Sequence, residues 1–203
     1  MKLHWSPRSP FVRKVMIVAH EHGLVDRITC VRTVAAMTKP HAELMKDNPL
    51  SKIPTLVLDD GAVLYDSPVI CEYLDALDGA PRLFPTEHKA CIAALRRQAL
   101  GGGFLDLLVL LRDEHGREQP SMAHLSSAET RKAAVLKHLE KDATALALAP
   151  FSIGHVAIGC ALSYLDFRFP KENWRKPHPA IAAWHGKFAA RPSVRATAPV
   201  DDS

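Results

Sequence analysis

Two serines stand directly before prolines where helices should begin. Ser9-Pro10 opens the stretch Pro10–His22, and Ser67-Pro68 opens Pro68–Leu77. Serine caps helix starts well, and proline suits the first helical position, where a missing N–H costs nothing. Each start also presents free backbone N–H groups and the positive end of a helix dipole, a combination that binds anions. Between them lies Lys52-Ile53-Pro54-Thr55, just ahead of a β-rich run. Two readings fit Pro54. A trans proline merely starts the strand; a cis proline turns the N–H and C=O of Ile53 outward as a short edge for a peptide-like ligand. The serines likewise admit a plain reading, in which they cap helices and do no more.

The elements that must position these residues follow from periodicity. Lys2–Trp5 and Ile28–Val31 read as short strands. Val12, Val15, Met16 and Ala19 recur at helical spacing, with Gly23 at the place of a C-terminal cap. His41–Lys46 reads as a short helix ended by Asn48-Pro49. Thr55–Leu58 and Ala62–Tyr65 flank Asp59-Asp60-Gly61, a hairpin signal. The order β-α-β-α-β-β-α predicts a small mixed sheet covered by helices over residues 1–80. Pro81–Pro85 reads as a linker. Residues 86–203 read as all-helical: Lys89–Leu111, interrupted at Gly101-Gly102-Gly103; Thr130–Ala147; Val156–Leu165, apolar nearly all round and therefore buried; and Ala180–Ala190. The polar tail after Arg191-Pro192 is expected to be ordered only where it docks.

Composition narrows the function classes. The chain has 203 residues, 47% hydrophobic and 24% charged, the mix of an ordinary globular protein. Its net charge of +4 suits small anionic ligands, but lysine and arginine are dispersed, which argues against nucleic acid. The strongest apolar run, Leu105–Leu111, is far below the roughly 20 residues of a membrane span. No signal-peptide core is visible. Cys30, Cys71, Cys91 and Cys160 lack metal-ligand spacing, and His20 and His22 do not share a helix face. A cytoplasmic protein without disulfides or bound metal is expected.

Three N-terminal strings, SPRSPFVRKV (Ser6–Val15), NPLSKIPTLVLDDG (Asn48–Gly61) and LYDSPVICEYLD (Leu64–Asp75), resemble the cytosolic glutathione S-transferases, with the nearest likeness to bacterial serine-type members. YLDFRF (Tyr164–Phe169) and HPAIAAWHGKFAARPS (His178–Ser193) resemble the helical domain of the same family. The likeness implies a thioredoxin-like N-terminal domain, an all-helical C-terminal domain, and a homodimer. It implies glutathione as co-substrate, no permanently bound cofactor, and a small hydrophobic electrophile, with detoxification as the role. Isomerase, dehalogenase and peroxidase activities share the scaffold. A glutathione or hydrophobic-ligand binding protein with little catalysis is the alternative.

By the same resemblance Ser9 is the catalytic hydroxyl, with Ser6 as runner-up. Pro54 is the cis-proline, and the backbone of Ile53 pairs with the cysteinyl part of glutathione. Asp66 and Ser67 hold the γ-glutamyl group, and Lys52 assists the glycine carboxylate. A thiol near pKa ~8.5 is barely ionised at pH 7, and lowering it by about two units takes ~2.7 kcal/mol. One hydroxyl hydrogen bond to a thiolate (~1.5–3 kcal/mol) and a helix terminus (~0.3–1 kcal/mol) together reach that figure. Tyrosine- and cysteine-type mechanisms have no candidate, since no tyrosine precedes Tyr65 and no cysteine precedes Cys30. Family members carry Ser/Thr-x-x-Asp before the buried helix. Ser152-Ile153-Gly154-His155 keeps the serine and loses the acid, so a weaker, pH-sensitive helix start is expected. The glycine triplet is either a kink or room for a bulky substrate near Asp106 and Leu107. Arg13 is expected to be structural or in an interdomain ion pair, and Cys71 to lie in the core.

Overall fold

The computed structural model describes residues 1–79 and 82–202. They form two compact units: Met1–Thr86 joined by the chain from Pro192 onward, and Glu87–Arg191.

The first unit is a four-stranded mixed sheet in the order β2-β1-β3-β4. Its strands are β1 (Lys2–Trp5), β2 (Thr29–Arg32), β3 (Thr55–Val57) and β4 (Val63–Leu64). β1 runs parallel to β2 and antiparallel to β3, and β3 runs antiparallel to β4. Three helices accompany them: α1 (Pro10–Glu21), α2 (Ala42–Asp47) and α3 (Ser67–Ala76). Of the apolar positions read as the inner face of α1, Val12, Val15 and Ala19 are buried, with Leu3, Leu56, Ile70 and Leu74, while Met16 is half-buried. The PRLFP linker is held rather than loose. Pro81 lies outside the described residues, but the N–H groups of Arg82, Leu83 and Phe84 donate to the buried Asp75 carboxylate at 3.2, 2.9 and 3.0 Å.

The tail does dock, and on the first unit rather than with the helical half, where the expected boundary had put it. It contains a short helix (Pro192–Ala196) whose Ser193 and Val194 are buried. Arg13 Nη2 donates to the Val194 carbonyl at 3.2 Å, so Arg13 is structural through a carbonyl. The Val200 N–H reaches the Pro7 carbonyl at 3.4 Å, and Arg8 pairs with Asp202 at 2.9 Å.

The second unit has four helices: α4 (His88–His115), α5 (Met122–Leu148), α6 (Ile153–Arg168) and α7 (Pro179–Ala189). α6 is buried on nearly every side, as its composition requires. α4 runs through the glycine triplet without a break. A Cβ on Gly101 would sit 2.5 Å from the backbone carbon of Ala157 and 2.6 Å from the Ile158 nitrogen, so this glycine lets α4 and α6 touch backbone to backbone. The kink reading is corrected, and close packing accounts for Gly101; a Cβ on Gly102 or Gly103 would meet nothing within 4 Å.

The start of α6 is capped without the acid. His155 completes the capping box. Its Nδ1 accepts from the Ser152 N–H at 3.1 Å, and its Nε2 lies 2.9 Å from the Leu146 carbonyl. A carbonyl only accepts, so the proton is on Nε2 and Nδ1 is free to receive: a neutral imidazole replaces the acid. Burial pushes the His155 pKa down, the Leu146 hydrogen bond opposes it, and Arg97 and Arg191 push it further down.

Candidate functional site

Sheet register gathers the sequence candidates at one end of the first unit. β1 and β3 end their pairing at His4 opposite Thr55. The loop Ser6–Ser9, which continues β1, therefore leaves the sheet beside Ile53-Pro54, which leads into β3. Leu64 pairs with Leu56, so Asp66-Ser67, which follows β4, emerges at that same end. The starts of α1 and α3 thus flank the Ile53-Pro54 segment, the arrangement two anion-binding helix ends need to act on one ligand.

Ser9 is the N-cap of α1. Its Oγ accepts from the Val12 N–H at 3.3 Å, and its own N–H donates to the Ser6 carbonyl at 3.1 Å. Ser9 is half-buried, whereas Ser6 is 7% exposed and accepts from the Arg8 N–H at 3.4 Å. Among the described residues no acceptor takes the hydroxyl proton of Ser9.

The Ile53–Pro54 peptide is cis, as is Tyr65–Asp66. The segment before β3 is braced from within. Asn48, 1% exposed, donates through Nδ2 to the Lys52 carbonyl at 3.2 Å and to Thr55 Oγ1 at 2.9 Å, and its Oδ1 accepts from the Leu50 N–H at 3.0 Å. Thr55 Oγ1 donates in turn to the Lys52 carbonyl at 2.8 Å. Ile53 is half-buried and Lys52 exposed. The α2 helix ahead of this segment is capped by His41, whose Nδ1 accepts from the Leu44 N–H at 3.2 Å and whose own N–H donates to Ser51 Oγ at 2.8 Å.

At α3 the cap position falls on Asp66, one residue earlier than expected, and Ser67 is the first helical residue. Asp66 is exposed and makes no side-chain cap bond. Ser67 is 1% exposed, and its Oγ accepts from the ammonium of Lys14, a 3.1 Å bond that joins α3 to α1. The sequence reading passed over Lys14, Asn48 and Thr55. The signal for Lys14 was its place on the stripe of Pro10 and Val18; for Asn48, only a side chain suited to bonding its own loop.

His4 lies beneath this end of β1. Its Nδ1 is 3.0 Å from Thr33 Oγ1 and its Nε2 is 2.8 Å from Asp47 Oδ2. Hydrogen bonds from Lys2 and then His4 hold the Asp47 carboxyl below the usual carboxylate range. Among the described residues none of the four cysteines forms a disulfide, and Cys71 and Cys160 are buried. Among the described residues no group of three or more His, Cys, Asp or Glu is placed to hold a metal ion, and no helix is long and apolar enough to cross a membrane.

A four-stranded mixed sheet with its helices, followed by a helical unit, is the thioredoxin-like domain plus all-helical domain that the sequence led one to expect. Residues 8–77 match the N-terminal domain of glutathione S-transferase, and residues 118–187 match its C-terminal domain. Over 98% of both chains, a glutathione transferase family member from Pseudomonas fluorescens Pf-5, solved with bound glutathione, is 40% identical with a TM-score of 0.93. A glutathione S-transferase from Methylobacillus flagellatus KT, solved with glutathione, is 34% identical with a TM-score of 0.87, covering 98% of this chain and 99% of that one. The uncharacterized GST-like protein YibF of Escherichia coli K12 is 30% identical over 204 residues, 98% of each chain. The chain belongs to the glutathione S-transferase family.

Proposed function

We propose that this protein is a serine-type glutathione transferase that holds the glutathione sulfur as a thiolate at Ser9 for attack on a small hydrophobic electrophile. The observation that carries the reading is the state of the Ser9 hydroxyl. Its oxygen accepts from the Val12 N–H and, among the described residues, nothing accepts its proton, so the hydroxyl is free to donate at a half-open helix start. Ser9 acts as neither base nor nucleophile; it donates a hydrogen bond to the sulfur anion, and the helix end adds its dipole. Glutathione lies along the sheet end. The backbone of Ile53 before cis-Pro54 pairs with the cysteinyl unit. The γ-glutamyl carboxylate meets Ser67 and the N–H groups of α3, Asp66 takes the ammonium, and Lys52 reaches toward the glycine carboxylate. Family membership supports a homodimer acting in the cytoplasm, with detoxification as the role.

The Ser9→Ala variant tests this. Losing ~1.5–3 kcal/mol of thiolate stabilisation raises the pKa of bound glutathione by about 1–2 units and lowers kcat/KM roughly 10–100-fold near neutral pH, with glutathione affinity nearly unchanged. Ultraviolet absorbance of the bound thiolate against pH reads the first, and conjugation kinetics with a panel of electrophiles reads the second. Full turnover by Ser9→Ala removes Ser9 from the role and turns the test to Ser6. Retention on immobilised glutathione without turnover of any electrophile supports the binding-protein reading instead.

A further inference from the structure

Lys14 is among the largest fully buried side chains described in the protein, at 1% exposure. Its ammonium bonds to Ser67 Oγ, and among the described residues no carboxylate pairs with it. The other strongly buried lysine differs: Lys132, 6% exposed, has Glu172 at 2.6 Å and Glu129 at 2.7 Å. Burying a cation without a counter-charge is costly, and removing it in favour of an apolar side chain is often stabilising. The fold keeps this uncompensated charge next to the one hydroxyl at the start of α3. An ammonium donates and never accepts, so Ser67 Oγ is the acceptor in this bond and its O–H proton is left to donate elsewhere. Both features lack a partner of the same kind, an anion outside the protein.

We propose that Lys14 is a positioning residue for the α-carboxylate of the γ-glutamyl group. It orients Ser67 as a donor to that carboxylate, and its own charge is balanced when the carboxylate binds. The proposal deepens the glutathione reading above and rests on it. Lys14 then sets selectivity for ligands that carry a negative charge at this point, through Ser67 and without touching the thiol.

The test compares glutathione with glutathione amidated at the glutamyl α-carboxylate, by calorimetric titration of the wild type, Lys14→Met and Lys14→Gln. Lys14→Met is expected to lose tenfold or more in affinity for glutathione and less than threefold for the amide, with the kinetic loss in KM for glutathione rather than in kcat. Its thermal midpoint is expected to equal or exceed that of the wild type, since a buried charge has been removed. A merely structural lysine gives the opposite pattern: a lower midpoint and equal losses for both ligands, which overturns the proposal. Lys14→Gln keeps a donor for Ser67 without the charge, and wild-type affinity for glutathione in that variant also overturns it. Failure of the wild type to bind either ligand overturns the glutathione reading itself, and is told apart from the other results because it appears before any substitution.

Discussion

Replacing His155 by aspartate separates two accounts of how α6 begins. Capping logic taken from sequence says that an acid at this place should help. A carboxylate near a helix N-terminus contributes ~0.3–1 kcal/mol, and Arg97 and Arg191 lie close enough to depress the His155 pKa and would favour an anion. The structure adds a cost that this logic omits. The imidazole spans from the Ser152 N–H to the Leu146 carbonyl, and aspartate is too short to reach both. Orphaning a buried carbonyl costs ~1–3 kcal/mol. The ring also lies 5.6 Å from the Phe151 ring and 6.1 Å from that of Trp184, contact that a carboxylate does not replace. The loss wins at neutral pH, by about 1–3 kcal/mol, which at roughly 2–4 °C per kcal/mol lowers the thermal midpoint by ~2–12 °C. The difference must then shrink on acidification. The folded His155 pKa lies below its unfolded value of about 6.5, so the unfolded chain takes up the proton first. That stabilisation of the wild type is present above pH ~6.5 and is lost as pH falls toward the folded pKa, while His155→Asp has no group at this position titrating near pH 6.5. Differential scanning fluorimetry of both proteins from pH 8 to 5 measures the gap. A higher midpoint for His155→Asp at pH 7.5, or a gap that widens below pH 6.5, refutes the reasoning.

Adjacent glycines in α4 should respond with opposite signs. Gly101→Ala forces α4 from α6 and costs about 1–3 kcal/mol, whereas Gly102→Ala, whose Cβ meets nothing within 4 Å, gains up to ~1 kcal/mol of helix propensity; chemical denaturation of the two variants reads both. Asn48→Ala removes three hydrogen bonds from the loop that presents Ile53 and is expected to cost about 2–4 kcal/mol of stability, with a rise in KM for glutathione larger than any fall in kcat.

Much of the fold was legible because burial repeats. The stripe in α1, the hairpin at Asp59-Asp60-Gly61 and the apolar belt of α6 each fix an element through periodicity or turn chemistry. The start of α5 was not legible: the helix begins at Met122, eight residues before the expected Thr130, because its first turns carry little apolar pattern and Ser121 supplies the cap. The short helix at Pro192–Ala196 was missed for a related reason, since its order comes from Arg13 and Glu21 across the fold and not from its own five residues. The role of Gly101 was not legible because a tight approach between two helices leaves no trace in either helix alone. The way His155 caps the helix was not legible because the bond that orients its ring comes from a carbonyl nine residues back.

The serines at the two helix starts were legible in the sequence as a pair, while the group that stands behind each was not. Ser-Pro marks both starts, and nothing in the dipeptide distinguishes them. The structure gives each hydroxyl a different donor: the Val12 N–H at Ser9 and the Lys14 ammonium at Ser67. Each oxygen accepts one hydrogen bond and each hydroxyl keeps its proton to donate, which in the proposed reading goes to an anion. They differ in the charge behind them. At Ser9 the support is a neutral amide and a helix dipole, which in the proposed mechanism favours a thiolate over a thiol by about two pKa units. At Ser67 the support is a full buried charge, suited to a carboxylate that must stay anchored and never reacts. If that division holds, exchanging supports should exchange phenotypes. Damage behind Ser9 should appear in the thiol pKa and kcat, and damage behind Ser67 in affinity for one carboxylate, with each readout indifferent to the other serine.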